Sequence, residues 1–233
     1  MIKYLLIFLC SLLMASSTSA KDLKGEVIIL IGNSQMIGTV DPTRPRWGDN
    51  HMGPRLEKIL IGRGAKVVRI ARGASGAHFW IKTLKEIYKG SLRTKETKRW
   101  TIDFLKEQKP TQIVMNLGGN DSGHTEKYFQ KYALPLMKEL KSITPHVTWF
   151  GPGPGRHKRS HRNRTYTDKV LKDFATQTGI IYISMLDWVS KDDRLKNLTP
   201  KQIRYDGIHY KNFPAQCYAE AIAISIRNTN NEI

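Results

Sequence analysis

The sequence predicts an α/β protein, a three-layer α/β/α domain built on a five-stranded parallel sheet. Three observations lead there. Five short runs rich in β-branched residues recur along the chain, each apolar on both faces, as the strands of a parallel sheet covered on both sides must be. Segments with apolar residues at helical spacing separate these runs. The chain has 233 residues, 40% hydrophobic and 25% charged, which suits one domain with an ordinary core.

The first twenty residues, MIKYLLIFLCSLLMASSTSA, stand apart from the rest. One early lysine, an apolar run from Tyr4 to Met14 and small polar residues ending at Ala20 have the layout of a secretory signal peptide. The apolar run is shorter than the roughly 20 residues a membrane span needs. Residues 1–20 are therefore expected to be a cleaved signal, 21–233 the domain, and the protein secreted or periplasmic, with no stable membrane insertion afterwards. Removal of the leader and Cys10 leaves Cys217 as the sole cysteine, so no disulfide is expected within the domain.

The first strand is expected at EVIILIG (26–32), followed by a helix in GPRLEKILIG. AKVVRIAR (65–72) is the second strand, and RWTIDFLKEQ carries a helical pattern after it. TQIVMNLG (111–118) is the third, with a long helix in YFQKYALPLMKELKSI that Pro135 should kink. HVTWFGP (146–152) is the fourth, followed by a helix in YTDKVLKDFATQTG that Gly179 ends. IIYISM (180–185) is the fifth, and PAQCYAEAIAISIRN closes the chain as a helix with Pro214 in its first turn. There is no internal repeat, low-complexity tract or linker. Sheets of this kind take ligands beyond the carboxyl ends of their strands.

Four loops at those ends carry the chemistry. After the first strand, GNSQMIG (32–38) places Ser34 where the chain leaves the sheet. It is not the G-x-S-x-G elbow, because Met36 holds the last glycine position. After the second, RGASGAHF (72–79) has two glycines that let backbone N–H groups face a ligand. After the third, LGGNDSG (117–123) delivers Asn120, whose amide can donate to a developing oxyanion as a carboxylate cannot. Near the end, RYDGIHYKNF (204–213) holds Asp206 and His209, three residues apart.

Together these stretches resemble the SGNH, or GDSL-like, hydrolase family, over nearly the whole mature chain and in the family's order. GGND and DGIH match its patterns fully. The first block departs from it, with Asn33 where the family commonly has Asp, a change that bears on the hydrogen bonding of the turn. The resemblance implies the flavodoxin-like SGNH hydrolase fold and ester hydrolysis through an acyl-serine. It makes Ser34 the nucleophile, His209 the general base and Asp206 the residue that orients His209. The oxyanion hole falls to the backbone N–H groups of Ser34 and Gly76 with the Asn120 amide; Gly76 is preferred to Gly73 because the family's second block reads as a small residue and then Gly. A serine hydroxyl is a poor nucleophile until a neighbouring base takes its proton, which is consistent with this set. No cofactor is expected.

Net charge is +18, which predicts attraction to polyanions. No nucleic-acid recognition motif accompanies the charge, and for an exported protein an acidic glycan or an anionic lipid is the nearer partner. The segment GPGPGRHKRSHRNRTYTDK (151–169) concentrates it, and its Pro and Gly residues argue against a helix there. Arg156, Arg159 and Arg162 in this segment, and His78 and Trp80 after the second block, are the candidate substrate-binding residues. His157 and His161 would suit a metal on a helix, but the segment does not read as one and no carboxylate accompanies them, so no metal is expected. The expected substrate is an O-acetylated, anionic cell-envelope or extracellular polysaccharide. A lipid or general acyl ester, or acyl transfer to another acceptor, are the alternatives. A reading of another class is a catalytically inactive basic module that binds an anionic polymer.

Overall fold

Side chains along each central strand alternate between two separate cores in the computed structural model, which describes residues 22–37, 51–86, 100–204 and 209–226. Residues 1–20, expected to be a signal peptide, and Asp206 lie outside the described residues. In chain order the elements are β1 (Val27–Gly32), α1 (Met52–Gly62), β2 (Lys66–Ala71), α2 (Ala77–Leu84), α3 (Ile102–Glu107), β3 (Gln112–Asn116), α4 (Glu126–Ile143), β4 (Val147–Phe150), α5 (Lys158–Thr178), β5 (Ile181–Ile183), α6 (Met185–Lys191), α7 (Pro200–Ile203) and α8 (Asn212–Ser225).

The five strands form one parallel sheet in the order β2-β1-β3-β4-β5. Ile29 and Ile31 face a core completed by α2, α4 and α5, with Ile113, Met115 and Trp149 on the same side. Ile28 and Leu30 face the other core, with Val114, Phe150 and the buried sides of α1 and α8. This is the period of two that a strand imposes, with apolar residues in both phases because helices cover both faces. β3 and β4 are buried throughout, whereas the edge strands β2 and β5 are partly exposed.

The helices bury stripes at three- and four-residue spacing. On α4 these are Phe129, Ala133, Leu136, Met137 and Leu140, and the helix runs through Pro135 without a break. On α8 they include Ala215, Tyr218, Ala219 and Ile222, together with the free thiol Cys217. α1 packs on α8, and α4 on α5.

α5 departs from the sequence expectation. It begins at Lys158, well before the expected start, and reaches Thr178, where Gly179 ends it in the left-handed conformation (φ 66°). The Pro and Gly residues of the segment all precede the helix and so do not interrupt it. His157 caps it: its backbone is extended and its ring Nδ1 accepts from the Ser160 N–H at 3.2 Å. Gly155 lets the incoming chain cross the first turn, since a Cβ there would lie 2.3 Å from the His161 nitrogen. Arg159 and Arg162 are thus helical residues, exposed together with Arg156 just before the helix.

The register aligns the strand ends. Gly32 pairs with Ala71 and Asn116, Asn116 with Phe150, and Phe150 with Ile183. The residues that follow these five make one rim. β1 lies between β2 and β3, and the covering helix changes face there, from α1 on one side to α2 and α3 on the other. That is the topological switch point at which doubly wound sheets of this strand order hold their ligands.

Candidate active site

The turn after β1 is held from several sides. The Asn33 side chain accepts from the Gln35 N–H at 3.0 Å, and its backbone carbonyl accepts from the Met36 N–H at 2.9 Å. An Asx turn of this kind needs only a side-chain oxygen acceptor, so Asn serves as well as Asp and the turn is intact. The Gln35 carbonyl accepts from the Gly53 N–H at 3.0 Å, and the Met36 carbonyl from Arg69 Nη1 at 2.9 Å. Gly32 is required here, since a Cβ would lie 2.3 Å from Met36 Cγ. Ser34 rides on this turn, 6% exposed.

The loops after β2 and β3 are tied to each other. Asn120 donates from Nδ2 to the Ser75 carbonyl at 2.8 Å. Asp121, fully buried, accepts on Oδ1 from the Ala77 N–H at 2.9 Å and from the Tyr128 hydroxyl at 2.8 Å. Burial pushes the Asp121 carboxyl above its ordinary range, against these hydrogen bonds. Gly76, the N-cap of α2, has a packing reason to be glycine: a Cβ would lie 2.2 Å from Asp121 Oδ1. Gly118 turns the third loop in the left-handed region, at φ 111°.

Ser34 and Asn120 line one small cavity of about 30 Å³. Asn33, Gln35, Asn116, Gly119, Arg164, Arg204 and Tyr210 also border it. An amide nitrogen carries two protons, so the bond to Ser75 holds the Asn120 side chain in place and leaves a second donor. Gly76 is not among the residues bordering the cavity; it adjoins Ser75, the residue that anchors Asn120.

His209 is 5% exposed and directly precedes Tyr210 of the cavity wall. Its ring meets that of His51 edge-on, with centroids 5.6 Å apart, and His51 caps α1 two residues before Gly53 and its bond to the serine turn. Arg204 and Tyr210 form an isolated antiparallel bridge, and the Lys211 N–H donates to the Ile203 carbonyl at 2.9 Å. The two ends of the segment that contains Asp206 are thus clasped beside the cavity.

The candidate substrate-binding residues fall elsewhere. Trp80 is 0% exposed, stacks on Trp100 and donates from Nε1 to Ser75 Oγ at 3.0 Å. It is a core residue that props the second loop, because α2 buries Phe79, Trp80, Ile81 and Leu84 and has little free face. His78 is half-buried against Tyr132 of α4, outside the cavity wall; burial, then Lys82, holds its imidazole below the ordinary value. Arg156, Arg159 and Arg162 are exposed, and none of them borders the cavity.

No protein-family model matches the chain, and no curated protein sequence matches it. Solved structures do. An acetylxylan esterase from Geobacillus stearothermophilus superposes with a TM-score of 0.61 at 19% identity, covering 89% of this chain and 97% of its own. A lipase/acylhydrolase from Enterococcus faecalis does so at 0.60 and 16%, covering 85% and 93%. An α/β hydrolase from the metagenome of Lake Arreo, Spain, does so at 0.59 and 15%, covering 86% and 95%. The fold is that of the SGNH hydrolases.

Arg164 and Arg204 line the cavity wall, although the sequence marks Arg164 only as one of several basic residues in 151–169 and Arg204 not at all. Arg164 was hidden among the other basic residues of its segment. Helical spacing from Arg164 to Thr167, Asp168 and Leu171, all buried on α5, is the signal that singles it out. Arg204 opens the last block and carries no such signal. Both are buried, at 9% and 3% exposed.

Proposed function

We propose that the protein is an exported serine esterase that removes O-acetyl groups from an anionic cell-envelope or extracellular polysaccharide through an acyl-serine. The observation that carries this reading is the shared cavity of Ser34 and Asn120 at the β1/β3 switch point, with His209 beside its wall. In the reaction Ser34 Oγ attacks the ester carbonyl and His209 takes its proton. The tetrahedral oxyanion accepts from the Ser34 N–H and Asn120 Nδ2, both on residues that border the cavity, whereas Gly76 stands behind Ser75 and outside its wall. The C–O bond to the alcohol then breaks, His209 returns the proton to the leaving oxygen, and water repeats the sequence to release acetate. Asp206 orients His209 in this scheme. No step calls for a cofactor.

Two catalytic mutants of the Geobacillus esterase, one with a serine and one with a histidine replaced by alanine, share this chain's fold and fit a serine–histidine mechanism. The leader 1–20 and the net charge of +18 support export and an anionic substrate.

A fluorophosphonate probe and an acetate-release screen over acetylated glycans test the reading. Labelling that disappears in Ser34→Ala, with acetate released from a glycan, is the expected result. Polymer binding with neither labelling nor acetate release would leave the inactive basic module instead. N-terminal sequencing of the exported protein tests cleavage after Ala20.

A further inference from the structure

A second pocket, of about 410 Å³, opens between the start of α5, α6 and the loop that leads into α7. Among the described residues it shares no lining residue with the serine cavity, yet the chain passes directly from one to the other. Gly153 lines the cavity and Pro154 the pocket; Ile203 lines the pocket and Arg204 the cavity. The Pro154 carbonyl, which accepts from Arg164 Nη1 at 2.9 Å and Arg204 Nη2 at 2.8 Å, stands in the wall between them.

The floor of this pocket is aliphatic. Val189, Leu195 and Ile203 are buried, and Leu186, Leu198 and Pro200 carry the apolar surface outward. Among the described residues that line it there is no phenyl or indole ring, no carboxylate and no side-chain amide. Its polar residues are His157, Lys158, His161, Ser190 and Lys196, all exposed. His157 Nδ1 accepts from the Ser160 N–H, so the ring proton sits on Nε2 and that nitrogen donates. Ser190 donates to the Asp187 carbonyl at 2.8 Å, and Lys196 meets the Asp193 carboxylate. Lys158 makes no ion pair among the described residues. The lip thus presents a cation and N–H donors above a floor that suits only hydrocarbon.

We propose that this pocket binds a single-chain amphiphilic anion, a fatty carboxylate, with the chain on the floor and the head group at Lys158 and His157. Apolar surface leaving water draws the chain in, and the carboxylate gains charge-assisted hydrogen bonds at the lip. A sugar ring suits the surface less well, because its hydroxyls need side-chain partners that the floor lacks. The pocket is also not a place for a bilayer to rest. The large exposed apolar residues, Ile61, Tyr166, Ile181, Phe213 and Ile224, line none of it, so a chain has to enter singly. The site goes beyond the esterase reading and stands without it, since Ser34 has no part in it.

Isothermal titration calorimetry of the purified protein with octanoate, butanoate and 1-octanol, each below any micellar concentration, tests the site. Octanoate should bind at a single site, about tenfold or more tightly than butanoate, because a longer stretch of chain leaves water. 1-Octanol should bind roughly fivefold more weakly than octanoate. Lys158→Ser should remove most of that difference and leave the 1-octanol affinity as it was. Ser190→Trp places an indole at the mouth, where it replaces solvent and not core, and should weaken both eight-carbon ligands. Ser34→Ala should bind octanoate as the wild-type protein does. No binding, or equal binding of octanoate and butanoate, overturns the proposal. An unchanged octanoate-to-octanol ratio in Lys158→Ser, or full octanoate affinity in Ser190→Trp, does the same. Loss of octanoate binding in Ser34→Ala puts the ligand in the serine cavity and overturns the second site. Binding only to vesicles of anionic phospholipid makes the face a bilayer contact and also overturns it.

Discussion

Asn120 Nδ2 donates to the Ser75 carbonyl at 2.8 Å, joining the loop after β3 to the loop after β2. The bond sets the orientation of the amide before any substrate arrives, which is what an oxyanion donor needs. Asn120→Ala should lower kcat by about a hundred- to a thousand-fold with a small change in KM. Asn120→Asp should be no better, since a carboxylate cannot donate and would repel the oxyanion. Steady-state kinetics on a simple acetate ester checks both; wild-type kcat in either variant would remove Asn120 from the chemistry.

Trp80 supports the second loop from the core. Trp80→Ala removes a fully buried indole and its bond to Ser75 Oγ, and should cost about 3–5 kcal/mol in a urea titration. Trp80→Phe should cost less and mainly disturb Ser75. A substrate-binding tryptophan would behave differently, with KM raised and stability unchanged.

The buried carboxyl of Asp121 makes stability depend on pH. Its folded value lies above the unfolded one of about 3.8, so the folded chain holds the proton more tightly. The stability this group contributes is full below that unfolded value and is lost as pH rises through the folded value. Asp121→Asn cannot ionise and keeps an oxygen for the Ala77 N–H and the Tyr128 hydroxyl. Between acidic and neutral pH, the difference in unfolding free energy should therefore move in favour of the variant. An offset that stays constant, or moves the other way, contradicts the assignment.

The exposed basic residues at the start of α5 have a test based on salt. Replacing Arg156, Arg159 and Arg162 with serine should lower kcat/KM on an acidic acetylated glycan relative to a small neutral acetate ester. Charges of this kind act over a Debye length of about 8 Å at physiological salt, so the relative loss should fade as salt rises. A ratio that does not respond to salt would mean that the residues act through local shape.

Legibility in the sequence followed periodicity. All five strands were legible because each is short, apolar in both phases and followed by a glycine or a polar turn. The candidate blocks stand out for the same reason: Ser34 and Asn120 lie in the turns that follow strands ending abruptly. α2 was missed because AHFWIKTL is too short and too uniformly apolar to display a period. The first turns of α5 were missed because Pro152, Pro154 and Gly155 lie just outside the helix and look like breakers within it. Trp80 stands close to the second block in sequence, but α2 turns it into the core, so nearness along the chain does not bring it to the cavity. Arg164 and Arg204 lie 40 positions apart, and only the folded chain brings them to the same carbonyl.

The central position of β1 also bears on when the candidate site forms. β1 is the first strand made, yet it has no neighbour until β2 and β3 have followed; its opening Val27 N–H waits for the hydroxyl of Thr111, 84 positions later. Pairings this distant in sequence are slow to close. During synthesis the turn that carries Ser34 therefore has no sheet to rest on. The cavity wall is complete only when Arg204 and Tyr210, from the last block, have docked.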